Sequence, residues 1–496
     1  MFESILFSEP VSGPVCPPDC LSDLRLDRVF DRFLNREENR NLAGWFYTPL
    51  KDEAVVRSRQ AVFRDLKLPG LGEALTGFSR QIGELSILAK SDSAPGGREL
   101  TRGRILRDAE QYSAALEQLN TLLADFPLRS PGLRDFRAYL NTCVSGPAFT
   151  GFREETAALR REFDSLNYCM LIRGRTVRVR KYDREESLTE EVRRCFEKFS
   201  GPPEKKDRPE PAGAEHVEGQ LLRCLSGVYP KEFSHLERFC SGAASFYDRK
   251  ILRFAKEIRF YLVWISCIGP VWAAGLPFCC PEISDSGCRV CAEGVYDLAL
   301  AQKTGGKIVT NDFALNAPER MIVVTGPGRG GKTTFARAVG SLHYLASLGL
   351  PVPARSASLL LTDGIYCHFP RPENLSSLSG KLQEELERLK SQLDSAGPGS
   401  LMIINDIFTS TTPEDAVMLC GRMMDRIAAS GAEAVIVTCI EEAAKYGPEA
   451  VSMRSCSDSG EPFRIRRSLP DSRADARSEA RRYGLTYEQL MERIAE

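Results

Sequence analysis

One short segment restricts the fold more than any other part of the chain. The apolar run Met321–Thr325 leads into a glycine-rich stretch, and residues of helical character follow. The stretch fits the pattern G-x-x-x-x-G-K-[ST] and consists of Gly326, Pro327, Gly328, Arg329, Gly330, Gly331, Lys332 and Thr333. Strand, glycine loop and helix in this order predict a phosphate-binding loop in an α/β domain.

The residue types in this stretch suit phosphate chemistry. Glycines allow successive backbone N–H groups to turn towards phosphate oxygens, and the helix that begins behind them adds a partial positive charge. Lys332 would reach the terminal phosphates, while the Thr333 hydroxyl would bind Mg²⁺. We therefore expect residues 326–334, including Thr334, to bind a nucleotide.

The character of the sequence changes along its 496 residues, a length that predicts more than one domain. Apolar residues in the first ~265 positions recur at helical spacing. From about residue 292, helical stretches alternate with apolar runs at 306–310, 321–325, 358–362, 401–404 and 434–438. We predict a helical region (1–265), followed by an α/β P-loop domain (266–496) with a mainly parallel sheet.

Two segments interrupt the helical region. Prolines and charges at 201–213 predict a mobile linker near residues 200–215, because such a sequence cannot bury a core. Residues 169–182 predict strand structure, in which Val177 and Val179 alternate with Arg178 and Arg180. The resulting cationic face would either contact phosphates or simply face solvent.

Composition favours a soluble globular protein, with 27% charged and 43% apolar residues. The net charge of −1 neither favours nor excludes a nucleic-acid partner. The N-terminus lacks the features of a signal peptide. Residues 260–280 carry no charge, but glycines and prolines break the stretch, so we expect a buried helix ending near Ile268 and no membrane span.

The 16 cysteines are scattered, which favours a reduced, cytoplasmic protein. One group has an alternative role as a zinc site, since its last two members form a C-x-x-C pair. The group comprises Cys279, Cys280, Cys288 and Cys291. Ordinary thiols remain the alternative, because no second C-x-x-C pair supplies the other ligands.

A second apolar run, at 400–406, ends in Asn405 and Asp406. A strand ending in a polar pair fits the partner that a phosphate loop needs, which holds Mg²⁺ through water and polarises the attacking water. The candidate catalytic residues are therefore Asn405, Asp406 and Lys332. The candidate metal ligands are Asn405, Asp406 and Thr333.

Several motifs occur in a fixed order along the second half of the chain. They lie at 311–315 (N-D-F-A-L), 325–333, 349–354, 375–378, 405–407, 411–412 and 437–439. Their order and spacing resemble the ATPase domain of the MutS family of DNA mismatch-repair and recombination proteins. Residues 45–50 and the helical region behind them are similar to the core and lever of that family.

The resemblance implies an ATP- and Mg²⁺-dependent, homodimeric, DNA-binding protein. It would be a DNA-dependent ATPase acting on mismatched, branched or joint DNA in repair or recombination. Asn311 would belong to the nucleotide site. Ser376 and Ser377 would reach the γ-phosphate of the partner, or cap a helix at 379–394.

Three departures from the family pattern affect the expected activity. The core-like segment begins near residue 22, so we expect no mismatch reading by an inserted Phe. Asn405 adds no charge, and Asp406 is shorter than the Glu of the pattern. Cys439 replaces the pattern's His, and loss of one such group costs ~10²–10³ in rate. We expect ATP binding with weak hydrolysis, or alternatively a nucleotide-gated protein scaffold with little or none.

Overall fold

A computed structural model describes most of the chain. The described ranges are 2–7, 15–88, 98–173, 176–183, 214–243, 246–284, 289–371, 380–456, 462–471, 480–481 and 483–495. Two compact units are present. The first contains Met1–Ser4, Leu68–Leu128 and Leu133–Ile258, and the second contains Ile5–Lys67, Arg129–Gly132 and Arg259–Glu496.

Helices account for most of the regular structure before residue 274. They are α1 (Cys20–Asp23), α2 (Leu26–Leu34), α3 (Ala43–Tyr47), α4 (Glu53–Asp65), α5 (Leu71–Leu88), α6 (Arg98–Asp125), α7 (Pro131–Ser145), α8 (Pro147–Asp164), α9 (Ala214–Val228), α10 (Pro230–Ala243) and α11 (Arg249–Ala273), with a 3-10 helix at Glu37–Leu42. This agrees with the apolar spacing of the first ~265 residues.

One hairpin interrupts these helices in the first unit. Strands β1 (Tyr168–Arg173) and β2 (Thr176–Lys181) pair antiparallel, as the alternation of residues 169–182 predicted. Val179 packs against a small core formed by Leu225, Tyr229 and Phe233. Arg178 lies on the opposite side of β2 and is exposed, because side chains alternate across a strand.

The second unit contains the remaining regular elements. Its later helices are α12 (Leu298–Thr304), α13 (Lys332–Ser347), α14 (Lys381–Ser395), α15 (Pro413–Ser430) and α16 (Tyr487–Ala495), with a 3-10 helix at Glu441–Lys445. Its strands are β3 (Glu282–Ser284), β4 (Val290–Val295), β5 (Asn311–Leu315), β6 (Met321–Thr325), β7 (Ser356–Leu360), β8 (Gly364–His368), β9 (Ser400–Asn405), β10 (Glu433–Val437), β11 (Ala450–Cys456) and β12 (Arg464–Arg467).

Six of these strands form a mainly parallel sheet in the order β12-β11-β6-β10-β9-β8. Every neighbouring pair is parallel except β11 with the edge strand β12. The strands β6, β9 and β10 are buried along their whole length, as their continuous apolar runs predict. The parallel-sheet prediction is thus confirmed.

Helices cover both faces of this sheet. On one face, Met402 and Ile404 of β9 share a core with Met423 and Met424 of α15. On the other, α13 lies so close to β9 that a Cβ at Gly340 would approach Ile403 to 3.1 Å. A second sheet, in the order β3-β7-β4-β5, completes the unit.

Two details differ from the sequence prediction. Residues 306–310 form no strand; the strand is β5, five residues later, because Gly305 and Gly306 both adopt left-handed conformations that end α12. Helix α11 continues to Ala273, with Pro270 in its last turn. Most of the linker predicted near residues 200–215 lies outside the described residues. Within the described residues, no helix is long and apolar enough to cross a bilayer.

Candidate functional site

The glycine loop joins β6 to α13 at the carboxyl end of the parallel sheet. Three of its residues adopt positive φ angles: Gly326 (125°), Arg329 (61°) and Gly331 (86°). Gly331 also forms the N-cap of α13, which begins at Lys332. The sequence therefore folds here into a tight loop that ends at a helix N-terminus, the arrangement that binds phosphate.

The Lys332 ammonium lies across this loop. Its Nζ donates to the carbonyls of Gly326 and Pro327, each at 2.8 Å. The amine is thereby held on the loop that phosphates would enter. Thr333 is half-buried at the first turn of the same helix.

Ser455 of β11 supports the loop from the side, a role that the sequence analysis missed. Its buried hydroxyl donates to the Gly330 carbonyl at 2.5 Å. A Cβ at Gly330 would overlap Ser455 Oγ, and a Cβ at Gly326 would come within 2.9 Å of the Ser455 carbonyl. Glycines are therefore required because β11 packs directly against the loop. No local pattern marks Ser455, since the contact spans 125 residues.

Asn405 and Asp406 lie at the same edge of the sheet, where β9 ends. The β10 strand separates β9 from β6, and the Asp406 N–H donates to its Val437 carbonyl at 2.9 Å. Asn405 Nδ2 donates to Asp406 Oδ2, also at 2.9 Å. The pair thus forms a turn whose amide and carboxylate are joined.

Two buried oxygens at this edge have no hydrogen-bond partner among the described residues. They are Asn405 Oδ1 and Thr325 Oγ1. Unpaired buried oxygens are costly, and a hydrated cation would satisfy them. Together with Thr333 and Asp406 they supply hard oxygen donors of the type that Mg²⁺ prefers, so the residues present fit this ion.

Asn311 lies near the loop but uses its amide within the protein. Nδ2 donates to the Phe463 carbonyl at 3.2 Å, and Oδ1 accepts from the Ile465 N–H at 2.7 Å. Asn311 thus fastens β5 to β12. Phe463 is 52% exposed, and its Cβ would lie 3.4 Å from a Cβ at Gly331.

The end of β10 carries Thr438 and Cys439. The Thr438 N–H donates to the Val324 carbonyl at 3.2 Å, and its hydroxyl accepts from the Ile440 N–H at 3.0 Å. Cys439 is exposed. Its thiol, rather than an imidazole, therefore faces solvent at this strand end.

Comparison with known proteins shows which family the chain resembles. Residues 322–457 match the family model for MutS domain V. The DNA mismatch repair protein MutS of Prochlorococcus marinus (strain MIT 9303) is 25% identical over 434 residues, covering 78% of this chain and 45% of that protein. The chain is thus similar to MutS-family proteins over much of its length, and residues 322–457 match domain V of that family.

Further MutS-family relatives match shorter stretches. The DNA mismatch repair protein msh3 of Botryotinia fuckeliana is 32% identical over 197 residues, covering 38% of this chain and 17% of that protein. The MutS protein of Granulibacter bethesdensis is 27% identical over 180 residues, covering 36% and 19%. The chain thus spans less than half the length of these relatives. The resemblance read from the motifs is confirmed at the level of the family.

Two further groups of candidate residues are the serines before α14 and the cysteines near residue 280. Ser376 and Ser377 lie outside the described residues, and the helix that follows them, α14, begins at Lys381. Cys288 also lies outside. Burial raises the pKa of the Cys279 thiol to about 12, so this thiol is protonated in the metal-free protein. The described residues contain no cluster of three or more metal-binding side chains.

Proposed function

We propose that this MutS-family chain binds ATP with Mg²⁺ on residues 326–334, binds DNA, and hydrolyses ATP weakly in a DNA-dependent manner. One observation carries the proposal: the Lys332 amine is held across a left-handed glycine loop at a helix N-terminus. Backbone N–H groups and the ammonium would then bind the phosphates from two sides.

The metal would be held beside the loop, at the same edge of the sheet. Thr333 would bind it directly, and Asn405 and Asp406 would do so through water. Bound Mg²⁺ neutralises charge on the β- and γ-phosphates. Asp406 would orient the attacking water and accept its proton. Its short side chain and the neutral Asn405 support slow turnover rather than rapid catalysis.

The exposed face of the β1–β2 hairpin is our candidate for a DNA contact. Arg173 and Arg178 are exposed there, and Leu171 between them is 47% exposed. Arginines on an open face suit phosphates, which give affinity without sequence preference. We further propose a homodimer, a helical core and lever at 1–265, and an ATPase domain at 266–496. Mismatched, branched or joint DNA would be recognised by shape.

Two titrations test this function. A fluorescent ATP analogue should bind the wild type and not Lys332→Ala.

Mismatched, branched and plain duplexes, titrated from low to high salt, should show salt-dependent binding. The R173A/R178A variant should lower the slope of log K against log salt by roughly 2. The R36A/R40A variant, outside the hairpin, should leave it unchanged. Failure to bind any DNA at low salt would reject the DNA part.

A second function rests on the Asn405–Asp406 hydrogen bond. Because the Asn405 amide engages the carboxylate that should orient water, and because Cys439 is no proton-handling imidazole, the site also suits a nucleotide-gated protein scaffold. Turnover separates the two functions. ATP hydrolysis at the background rate, unchanged by DNA, would favour the scaffold, whereas stimulation by DNA would favour the ATPase.

A further inference from the structure

The turn that follows β9 is held in an unfavourable backbone conformation. Asp406 (φ 50°) and Phe408 (φ 60°) both occupy the left-handed region, which non-glycine residues seldom adopt. The side chains of Ile407 and Phe408 are buried. The Asp406 N–H donates to β10, which anchors the first of these two left-handed residues; Phe408 is held by a different element.

Glu385 of α14 provides that contact. Its Oε1 accepts a hydrogen bond from the Phe408 N–H at 3.4 Å. The Glu385 side chain is only 12% exposed, and its Oε2 is buried with no partner among the described residues. A buried carboxylate with an unused oxygen is costly to keep. Among the described residues, its hydrogen bond to the backbone goes to the turn that carries Asp406.

Helix α14, which carries Glu385, is attached to the end of β8 by hydrogen bonds. Arg388 donates to the Phe369 carbonyl at 2.7 Å and to His368 Nε2 at 3.1 Å. His368 Nδ1 lies 3.2 Å from the Gln392 Oε1 acceptor. His368, the last residue of β8, thus contacts both Arg388 and Gln392 of α14. Glu385 Oε1 also lies 3.8 Å from His368 Nε2, and the contacts of Arg388 fasten α14 to the end of β8.

We infer that Glu385 is a positioning residue: through the Phe408 N–H it holds the turn that aims Asp406 at the metal–nucleotide. The inference rests on the proposed function, because it assumes that Asp406 faces a bound metal–nucleotide. Asp406 itself has no contact with Glu385 in the described structure; the effect passes through two peptide units. Replacing Glu385 should therefore alter the metal-dependent part of nucleotide binding and leave the glycine loop intact.

Hydrogen–deuterium exchange of the 401–412 segment, without nucleotide, tests the contact directly. Glu385→Ala should speed exchange in this segment by ~10-fold. Glu385→Gln keeps an acceptor oxygen and should protect it as the wild type does. Glu387→Ala, on the exposed side of the same helix, is the matched control and should change nothing. Equal protection in wild type and Glu385→Ala would overturn the inference.

The effect on the metal site is tested by measuring the affinity for a fluorescent ATP analogue, once in EDTA and once in Mg²⁺. Wild type should bind more tightly with Mg²⁺, and Glu385→Ala should lose ~10-fold of that gain while keeping its affinity in EDTA. Glu385→Gln should restore the gain. Glu385→Asp, which keeps the charge but shortens the reach, should lose it, and serves if the Ala variant fails to fold.

The outcomes separate this inference from the proposed function. If Lys332→Ala binds the analogue as well as wild type does, the proposed function fails and the inference falls with it. If binding needs Lys332 but Glu385→Ala keeps the full Mg²⁺ gain, only the inference fails. A wild type that binds the analogue equally with and without Mg²⁺ also overturns the inference.

Discussion

The glycine loop and the turn after β9 lie at the same edge of one sheet but are stabilised differently. In the loop, glycines take two of the positive φ angles, and Lys332 and Ser455 hold its carbonyls. In the turn, Asp406 and Phe408 take them, and Asn405 Oδ1 has no partner among the described residues. The loop therefore places two of its left-handed conformations on glycines and is held by Lys332 and β11, whereas the turn places both on larger residues that β10 and α14 hold.

The largest expected effect lies in the loop. Lys332→Ala should weaken nucleotide binding by about 2–3 orders of magnitude, since it removes charge-assisted bonds to phosphate. Fluorescence titration measures this loss. Lys303→Ala, an exposed lysine in the last turn of α12, is the control. Similar affinities for the two variants would mean that the loop is not the phosphate site.

The helix behind the loop predicts a pH effect. Burial lowers the pKa of His343, in α13, to about 4, from about 6.5 when unfolded. Protons therefore bind the unfolded chain more strongly, so this group's contribution to stability is present above pH 6.5 and is lost towards pH 4, by on the order of 3 kcal/mol. The free energy of unfolding, measured from pH 7 to 4, should fall less steeply in His343→Leu.

Glu433 at the start of β10 acts in the opposite sense. Burial raises the pKa of this carboxyl to about 7, so stability from this group is lost as pH rises from about 4.5 to 7. The difference in pH dependence of the unfolding free energy between wild type and His343→Leu reports on the histidine alone, because Glu433 is present in both proteins. Identical slopes for the two proteins would show that His343 is not held neutral in the fold.

A smaller effect tests the packing of the loop. Gly330→Ala should lower the free energy of unfolding by about 1–3 kcal/mol, because its methyl group would overlap Ser455. Gly328→Ala should be nearly neutral, since a Cβ there would meet nothing within 4 Å. Chemical denaturation measures both. Adding Ser455→Gly to Gly330→Ala should recover much of the loss; no recovery would mean that Ser455 is not the obstacle.

The smallest effect concerns the turn. Asn405→Asp should destabilise the metal-free protein by about 1 kcal/mol, because it replaces the amide that donates to Asp406 with a second carboxylate. With Mg²⁺ and nucleotide the sign should reverse, since the ion would pair with both carboxylates. Melting temperatures in EDTA and in Mg²⁺–nucleotide measure this. The same destabilisation in both conditions would contradict a metal site at this turn.

Local patterns predicted much of the fold. Continuous apolar runs predicted β6, β9 and β10, because strands buried on both faces need apolar residues throughout. The strand at 306–310 was wrong, because an apolar run cannot show that Gly305 and Gly306 turn the chain. The roles assigned to Lys332, Thr333, Asn405 and Asp406 remain predictions, as do those of Ser376 and Ser377.

By itself, the sequence determined a glycine loop between a strand and a helix, because that motif depends on neighbouring residues and their backbone freedom. The ordered motifs also predicted the resemblance to the MutS family. Only the tertiary structure decided that Ser455 supports the loop, that Asn311 fastens β12 and that Glu385 contacts the Phe408 N–H. The physical reason is distance along the chain: these contacts join residues 23 to 154 positions apart. Sheet order and helix packing alone bring them together.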